Sequence, residues 1–313
     1  MTSIRNKMPI RLMDTLSKIL SFHYPHTALD VRCHFAAPWV IDHPSVAEGV
    51  VPYHLLTRGE ALLNVASSRE IPLKEGDIVV ILHGDPHLIY SGELTRASEG
   101  QSQPGSHPLR LVTNTGNGEH ADVLCGEFRF GADGLPFLRS LPSFIVVQTG
   151  GQGNLRALVD LLQSEAEHER PGAAAILNQL SSALFALLLR AWTESALPPP
   201  GILGVLAEKR LQPALAAMVH QPGEPWTLES LALKCFMSRA TFARIFTRAA
   251  GMPPAAMLTQ IRMQAAARLL GERRGALAGV AEAVGYQSEA AFSRAFSRHH
   301  GVGPGEFRRH SQR

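Results

Sequence analysis

Cysteine is scarce in this chain, with three residues in 313. So small and odd a number excludes the paired framework of a small secreted disulfide protein. The opening stretch, MTSIRNKMPIRLMDTLSKIL, lacks a compact apolar run and a small-residue cleavage site, so no secretory leader is read there. No apolar run reads as long enough to cross a bilayer. The expectation is a cytoplasmic protein with no membrane partner. Aspartate is missing from residues 201–313, which hold 15 Lys and Arg against 7 Glu. Residues 1–200 hold 15 against 20. The net charge of +3 is therefore +8 in one part and −5 in the other. A basic part of this kind points to nucleic acid as partner and away from a scaffold that binds only protein.

The basic part contains one pattern written twice. Ser238 to Pro254 reads SRATFARIFTRAAGMPP, and Ser288 to Pro304 reads SEAAFSRAFSRHHGVGP. Ser, Phe, Arg, Phe, Arg, Gly and Pro recur at the same internal spacing. Two units make a tandem pair and not a solenoid. Each copy reads as a helix with a Ser N-cap. Phe242 and Phe246, like Phe292 and Phe296, are four apart and share a buried face. Gly251 and Gly301 suit the helix C-termini, with proline three residues on. A short helix and a tight turn precede each copy, the second turn at Gly285. The arrangement is a helix-turn-helix, written twice. PPAAMLTQIRMQAAARLL, at 253–270, reads as the long helix that joins the two units.

At these residues the chain resembles the AraC/XylS family of bacterial transcription regulators. The second copy, VAEAVGYQSEAAFSRAFSRHHGVGPGEFRR, is close to that family's signature. The resemblance implies double-stranded DNA as partner and RNA polymerase as a further one. By register with the family, the first recognition helix presents Arg239, Ala240, Ala243 and Arg244. The second presents Glu289, Ala290, Ser293 and Arg294. Arg244 and Arg294 suit either bidentate guanine contacts or phosphate clamps, and the sequence leaves that open. Arg248 and Arg298 suit phosphate contacts or salt bridges. Ala240 and Ala290 stand where the family often has larger polar residues, which weighs against direct readout there and leaves a thymine methyl as the remaining contact.

The remainder has a different texture. From Ala28 to about Phe144, short β-like runs alternate with Gly, Pro and Asn turns: VVPYHLLTRG, EALLNVA, DIVVILH, LRLVTN and ADVLCGEFRF. Such spacing argues for a sandwich or barrel. GDIVVILHGDPH, at 76–87, fits the second cupin motif at Gly76, Gly84 and His87, with Leu82 where the motif has Pro. The expected fold is α+β and multidomain. A cupin-like jelly-roll barrel with flanking helices precedes an all-α domain with two helix-turn-helix units. The expected boundaries are 1–165 for the sensor, 166–203 for a helical connector with a Pro-rich linker, and 204–313 for the DNA-binding domain. Residues 1–30 read as an amphipathic helix with Leu12, Leu16, Ile19 and Leu20 on one side. Residues 91–120 include a polar, Gly- and Pro-containing loop before LRLVTN. The apolar helix at 173–192 either packs on its own domain or dimerises.

Three signals compete for the sensor. One is a small organic ligand in the cavity. Another is a metal, with His54, His83, His87 and Cys125 as candidate ligands; the first cupin motif's H-x-H and Glu are missing, which weighs against a metal-dependent cupin enzyme. No cofactor and no enzymatic activity are expected. The third is an oxidant. Cys33 lies between Arg32 and His34, and cationic neighbours favour thiolate. Within the family, the chain is most similar to the cupin-type activators that respond to reactive chlorine species. That likeness covers CGEFRF, the apolar helix and SRATFARIF, and it implies Cys33 and Cys125 as the sensing pair. Cys33 reads as part of an early segment over the barrel mouth. Cys235 reads as a small core residue.

Overall fold

The computed structural model describes residues 14–22, 25–65, 68–103, 109–131, 134–139, 141–149, 153–168, 170–194, 200–272 and 276–311. Leu12 of the expected N-terminal helix and residues 197–199 of the expected linker lie outside the described residues.

The chain opens with helix α1 (Thr15–Phe22). Strands β1 (His26–Ala36), β2 (Trp39–His43), β3 (Val50–Arg58) and β4 (Glu60–Val65) follow. Next come β5 (Ser68–Lys74), β6 (Ile78–Ile81) and β7 (His87–Ser91). The short strands β8 (Ser98–Glu99) and β9 (Gln101–Ser102) precede β10 (Arg110–Thr113) and β11 (His120–Arg129). So the polar stretch before LRLVTN, expected as a loop, contributes the short strands β8 and β9, and LRLVTN forms β10 as expected. Helix α2 (Leu135–Arg139), strand β12 (Phe144–Val147) and helices α3 (Gly153–Glu167) and α4 (Ala173–Thr193) complete the first part.

These strands form two sheets, in the orders β12-β6-β3-β11-β1-β10-β9 and β5-β4-β7-β2-β8. The larger sheet is covered on both faces, so its central strands are apolar on both sides. Val79, Ile81, Val123 and Phe35 face inward onto Trp39, Leu63 and Ile89 of the smaller sheet. Val51, Tyr53, Leu55, Leu124 and Phe128 face outward onto α3 and α4. The jelly-roll expectation holds, with one correction. Residues 26–36 are not part of an N-terminal helix or a flap over the mouth. They form β1, an interior strand paired with β11 on one side and β10 on the other.

Helix α4 also corrects the reading that no segment can span a membrane. Its 21 residues qualify by length and mean hydropathy. Packing accounts for that apolarity. Leu177, Leu184, Phe185, Leu188 and Leu189 are buried, and Phe185 packs against Phe128 and Phe130. The Ser181 hydroxyl donates to the Leu177 carbonyl at 2.8 Å, so the Tyr53 hydroxyl donates to Ser181 at 2.9 Å. Both groups are buried, and this bond ties β3 to α4. Tyr53→Phe should lower stability by about 1 kcal/mol, because the lost bond is neutral and Ser181 keeps its carbonyl partner. Urea denaturation of the full chain would register it as a lower midpoint at unchanged slope.

The second part is helical: α5 (Ile202–Ala207), α6 (Gln212–His220), α7 (Leu228–Lys234), α8 (Arg239–Ala250), α9 (Pro254–Glu272), α10 (Leu277–Ala283), α11 (Glu289–His300) and α12 (Pro304–Ser311). The duplication is visible in its local chemistry. Ser238 Oγ accepts from the Thr241 amide at 3.3 Å, and Ser288 Oγ accepts from the Ala291 amide at 3.2 Å. Gly251 and Gly301 end the two helices at φ +69° and +76°, where a side chain would be strained. Phe242, Phe246, Phe292 and Phe296 are all fully buried. At about 2–3 kcal/mol each, they anchor α8 and α11 to the rest of the domain. Helix α1 packs on α6 and α9, and the Arg268 guanidinium lies 5.6 Å from the centre of the Phe22 ring. The strand that carries Cys33 therefore follows, in the sequence, a helix seated on the second part.

Candidate nucleic-acid interface and thiol pocket

The buried phenylalanines fix which faces of α8 and α11 look outward. Arg239, Ala240, Arg244 and Arg248 are exposed on α8, with Ala243 half-buried among them. Glu289, Ala290, Arg294 and Arg298 are exposed on α11, with Ser293 half-buried. Each expected recognition residue thus lies on a solvent-facing stripe. The linking helix α9 has 19 residues, about 28 Å of helix, which is close to the groove repeat of about 34 Å.

Sequence reasoning missed Phe236. It occupies the turn between α7 and α8 at φ +53°, where the second unit has Gly285 at φ +81°. Its side chain is 97 % exposed. A left-handed, uncovered phenylalanine costs about 1–2 kcal/mol relative to glycine. The pattern offered no signal, because at its own spacing Phe236 stands against Tyr286; the equivalence with Gly285 appears only in the turns, where the Met237 and Tyr286 amides donate to the Ala232 and Ala281 carbonyls.

The thiol pocket lies inside the barrel. On β11, Ala121, Val123 and Cys125 face inward, alternating with outward Leu124. Gly126 permits the local packing, because a Cβ there would sit 2.4 Å from the Ala28 carbonyl and 2.6 Å from the Tyr53 ring. Cys33 pairs with Val123, and Cys125 with Val31. The two cysteines are thus diagonal neighbours on one face of adjacent antiparallel strands. Both line the same cavity. The Cys33 thiol nearby and burial push the Cys125 thiol well above the usual range, so it rests protonated; the Arg110 charge works the other way. Alternation corrects the role given to the neighbours of Cys33. Arg32 and His34 point to the opposite face, towards Glu167 and Asp122. They cannot favour a Cys33 thiolate through contact.

Of the candidate metal ligands, His54, His87 and Cys125 come together and His83 does not. His54 lies directly opposite Cys125 across the β3–β11 ladder, with Nδ1 3.1 Å from the sulfur. Its Nε2 is 2.8 Å from His87 Nε2, and His87 Nδ1 is 2.9 Å from the Asp85 carbonyl. His83 lies elsewhere, with Nε2 3.2 Å from the Leu138 carbonyl. Among the described residues, no group of three or more His, Cys, Asp or Glu side chains is placed to hold a metal. His43 was not foreseen. Its ring stacks on His87 with centroids 4.8 Å apart. A cavity of about 260 Å³ opens over this cluster, lined by Cys33, Cys125, His43, His54 and Arg110 among others.

Comparison with known proteins follows the same division. Residues 14–194 match the Cupin family and residues 231–310 match the Helix-turn-helix domain family. The chain is 32 % identical over 300 residues to the RCS-specific HTH-type transcriptional activator RclR of Escherichia coli K12, covering 95 % of this chain and 97 % of RclR. It is equally similar, at 32 %, to an uncharacterized HTH-type transcriptional regulator of Haemophilus influenzae, covering 95 % and 99 %. The HTH-type transcriptional regulator MtrA of Neisseria gonorrhoeae is 29 % identical, covering 95 % and 98 %.

Proposed function

The chain belongs to the AraC-type transcription regulators that carry a cupin sensor, and from that membership we propose a one-component, oxidant-operated switch. It is a DNA-binding regulator and not an enzyme. Under this proposal it works in the cytoplasm as an activator, and DNA-bound copies engage RNA polymerase. Arg239, Arg244, Arg294 and their stripe neighbours read DNA, and Arg248 and Arg298 hold its backbone. Leu161 on α3 and Ile176 on α4 remain exposed, which supports homodimerisation through this helical layer.

The observation that carries the redox reading is the placement of Cys33 and Cys125 as diagonal neighbours on β1 and β11, both lining one cavity. The printed specificity of RclR for RCS suggests a reactive chlorine species as oxidant. Hypochlorous acid and two thiols give one disulfide, water, chloride and a proton. Diagonal strand neighbours have Cα atoms about 7–8 Å apart. A disulfide spans at most about 7 Å, so closing it draws β1 and β11 together. Both strands lead to the DNA-binding part. β1 follows from α1, seated on α6 and α9; β11 and its partner β3 are fastened to α4 through Phe128–Phe185 and Tyr53–Ser181. A small organic ligand in the same cavity is the rival reading, and it needs no sulfur chemistry.

Non-reducing peptide mapping after one equivalent of hypochlorite separates the two. The redox reading expects one cross-linked peptide pair joining Cys33 to Cys125, with Cys235 unmodified. Burial also raises the Cys235 thiol, which keeps it inert. Two free cysteines in the sensor after treatment would contradict it.

A further inference from the structure

We propose that Leu233 and Phe236 form the surface by which the DNA-bound chain holds RNA polymerase, seated in an apolar groove with an acidic rim. This rests on the activator reading above. The Phe236 amide donates to the Leu233 carbonyl at 3.0 Å, so the tight turn closes one residue onto the other. Leu233 is 66 % exposed and Phe236 97 % exposed, while Ala232 and Cys235 between and beside them are buried. The fold does not ask for either exposed side chain. The second unit builds the same turn, with the Tyr286 amide on the Ala281 carbonyl where the first has the Met237 amide on the Ala232 carbonyl. At the positions of Leu233 and Phe236 it carries Glu282 and Gly285. Phe236 holds a left-handed backbone, at φ +53°, that glycine adopts freely. Strain and exposed apolar surface at one turn, and neither at its twin, mark side chains kept for contact outside the chain.

The occupant follows from the surroundings of the pair. Phe236 stands two residues before Ser238, the N-cap of α8, and Arg239 opens the exposed stripe of that helix. The pair therefore continues the DNA interface, and whatever covers it stands beside the duplex. DNA itself is a poor cover. Phosphates offer nothing to Leu233, and the second unit presents a glycine turn at the same place. A symmetric contact between two copies is no better. Lys234, held 5.0 Å over the Trp226 ring, and Arg239 are exposed beside the pair, with Glu229 one turn before Leu233. The rim is thus basic, in a part that holds 15 Lys and Arg against 7 Glu, and it repels its own copy. A protein that stands on adjoining DNA and offers an apolar groove with a carboxylate rim is left. For an activator that protein is RNA polymerase. Two anchoring side chains suit a contact that forms and breaks at each initiation.

The test uses the full-length chain on a duplex selected from a random library and joined, at several spacings, to a weak promoter. Phe236→p-benzoylphenylalanine puts a photoreactive ring of similar shape at the turn. Purified RNA polymerase holoenzyme is added and the mixture is irradiated. Reduced and hypochlorite-treated protein are both used, so the outcome does not depend on the disulfide. The expected product is a cross-link to one polymerase subunit. A cross-link to DNA or to a second copy of the chain, or none at all, overturns the proposal. Phe236→Gly and Leu233→Glu write the second unit's residues into the first. Both should keep DNA affinity within about twofold of the parent, since neither residue lies on the recognition stripe. Each should lower the polymerase retained on the duplex by about tenfold. Phe236→Gly should also raise the urea midpoint, because glycine suits the left-handed turn, so its loss of polymerase is no folding defect. If the parent retains no polymerase, the activator reading falls together with this surface. If the parent retains it and Phe236→Gly does too, this surface alone falls.

Discussion

Arg244→Ala combined with Arg294→Ala will abolish specific DNA binding at physiological salt. The two arginines occupy equivalent places on α8 and α11, both exposed, with α9 between the units. A base-contacting arginine contributes about 1–3 kcal/mol. Sites this far apart add, so the double substitution costs about 2–6 kcal/mol, on the order of 30-fold to 10⁴-fold in affinity. Neither residue supports the helix core, which is made by Phe242, Phe246, Phe292 and Phe296. The protein should therefore stay folded while binding is lost. Fluorescence anisotropy, on a duplex selected by the protein from a random library, reads the effect. Single variants that weaken every duplex equally, with a shallower salt dependence, would reassign both arginines to phosphates.

Cys125→Ser will remove the response to oxidant, and Cys33→Ser will do the same. Each takes away one sulfur of a bond that needs two. Neither change leaves a large cavity, because serine differs from cysteine by one atom. Cys235→Ser should respond like the parent, since that thiol lies in the first helix-turn-helix, remote in fold from the barrel pocket. A promoter reporter in cells given hypochlorite makes the comparison. Retained induction in both sensor variants would hand the cavity to a small ligand.

The two regions were not equally legible in the sequence. In α8 and α11 every signal is local: a cap three residues from its amide, phenylalanines one turn apart, a terminal glycine. Such signals survive without knowledge of the rest of the fold, and the structure reproduces them residue by residue. The barrel depends on distant pairing. In β1 a register irregularity between Leu29 and Val31 breaks the alternation that marks a strand, so HTALDVRCHFA reads as the end of a helix and a segment over the barrel mouth. With β1 unseen, Arg32 and His34 passed for neighbours of the Cys33 sulfur when they face away from it. His43 was invisible for a similar reason. Its place beside His87 comes from the β2–β7 register, between residues 44 positions apart. His54 and Cys125 are 71 apart, and only the β3–β11 ladder brings them opposite each other.

Hydroxyl-radical footprinting of the full chain on its selected duplex tests the central claim most directly. The account predicts two protected stretches on one face of the DNA, one helical turn apart, with Arg244→Ala erasing one and Arg294→Ala erasing the other. Loss of the same stretch by both variants, or protection unaffected by either, would contradict a regulator that reads DNA through two helix-turn-helix units in one chain.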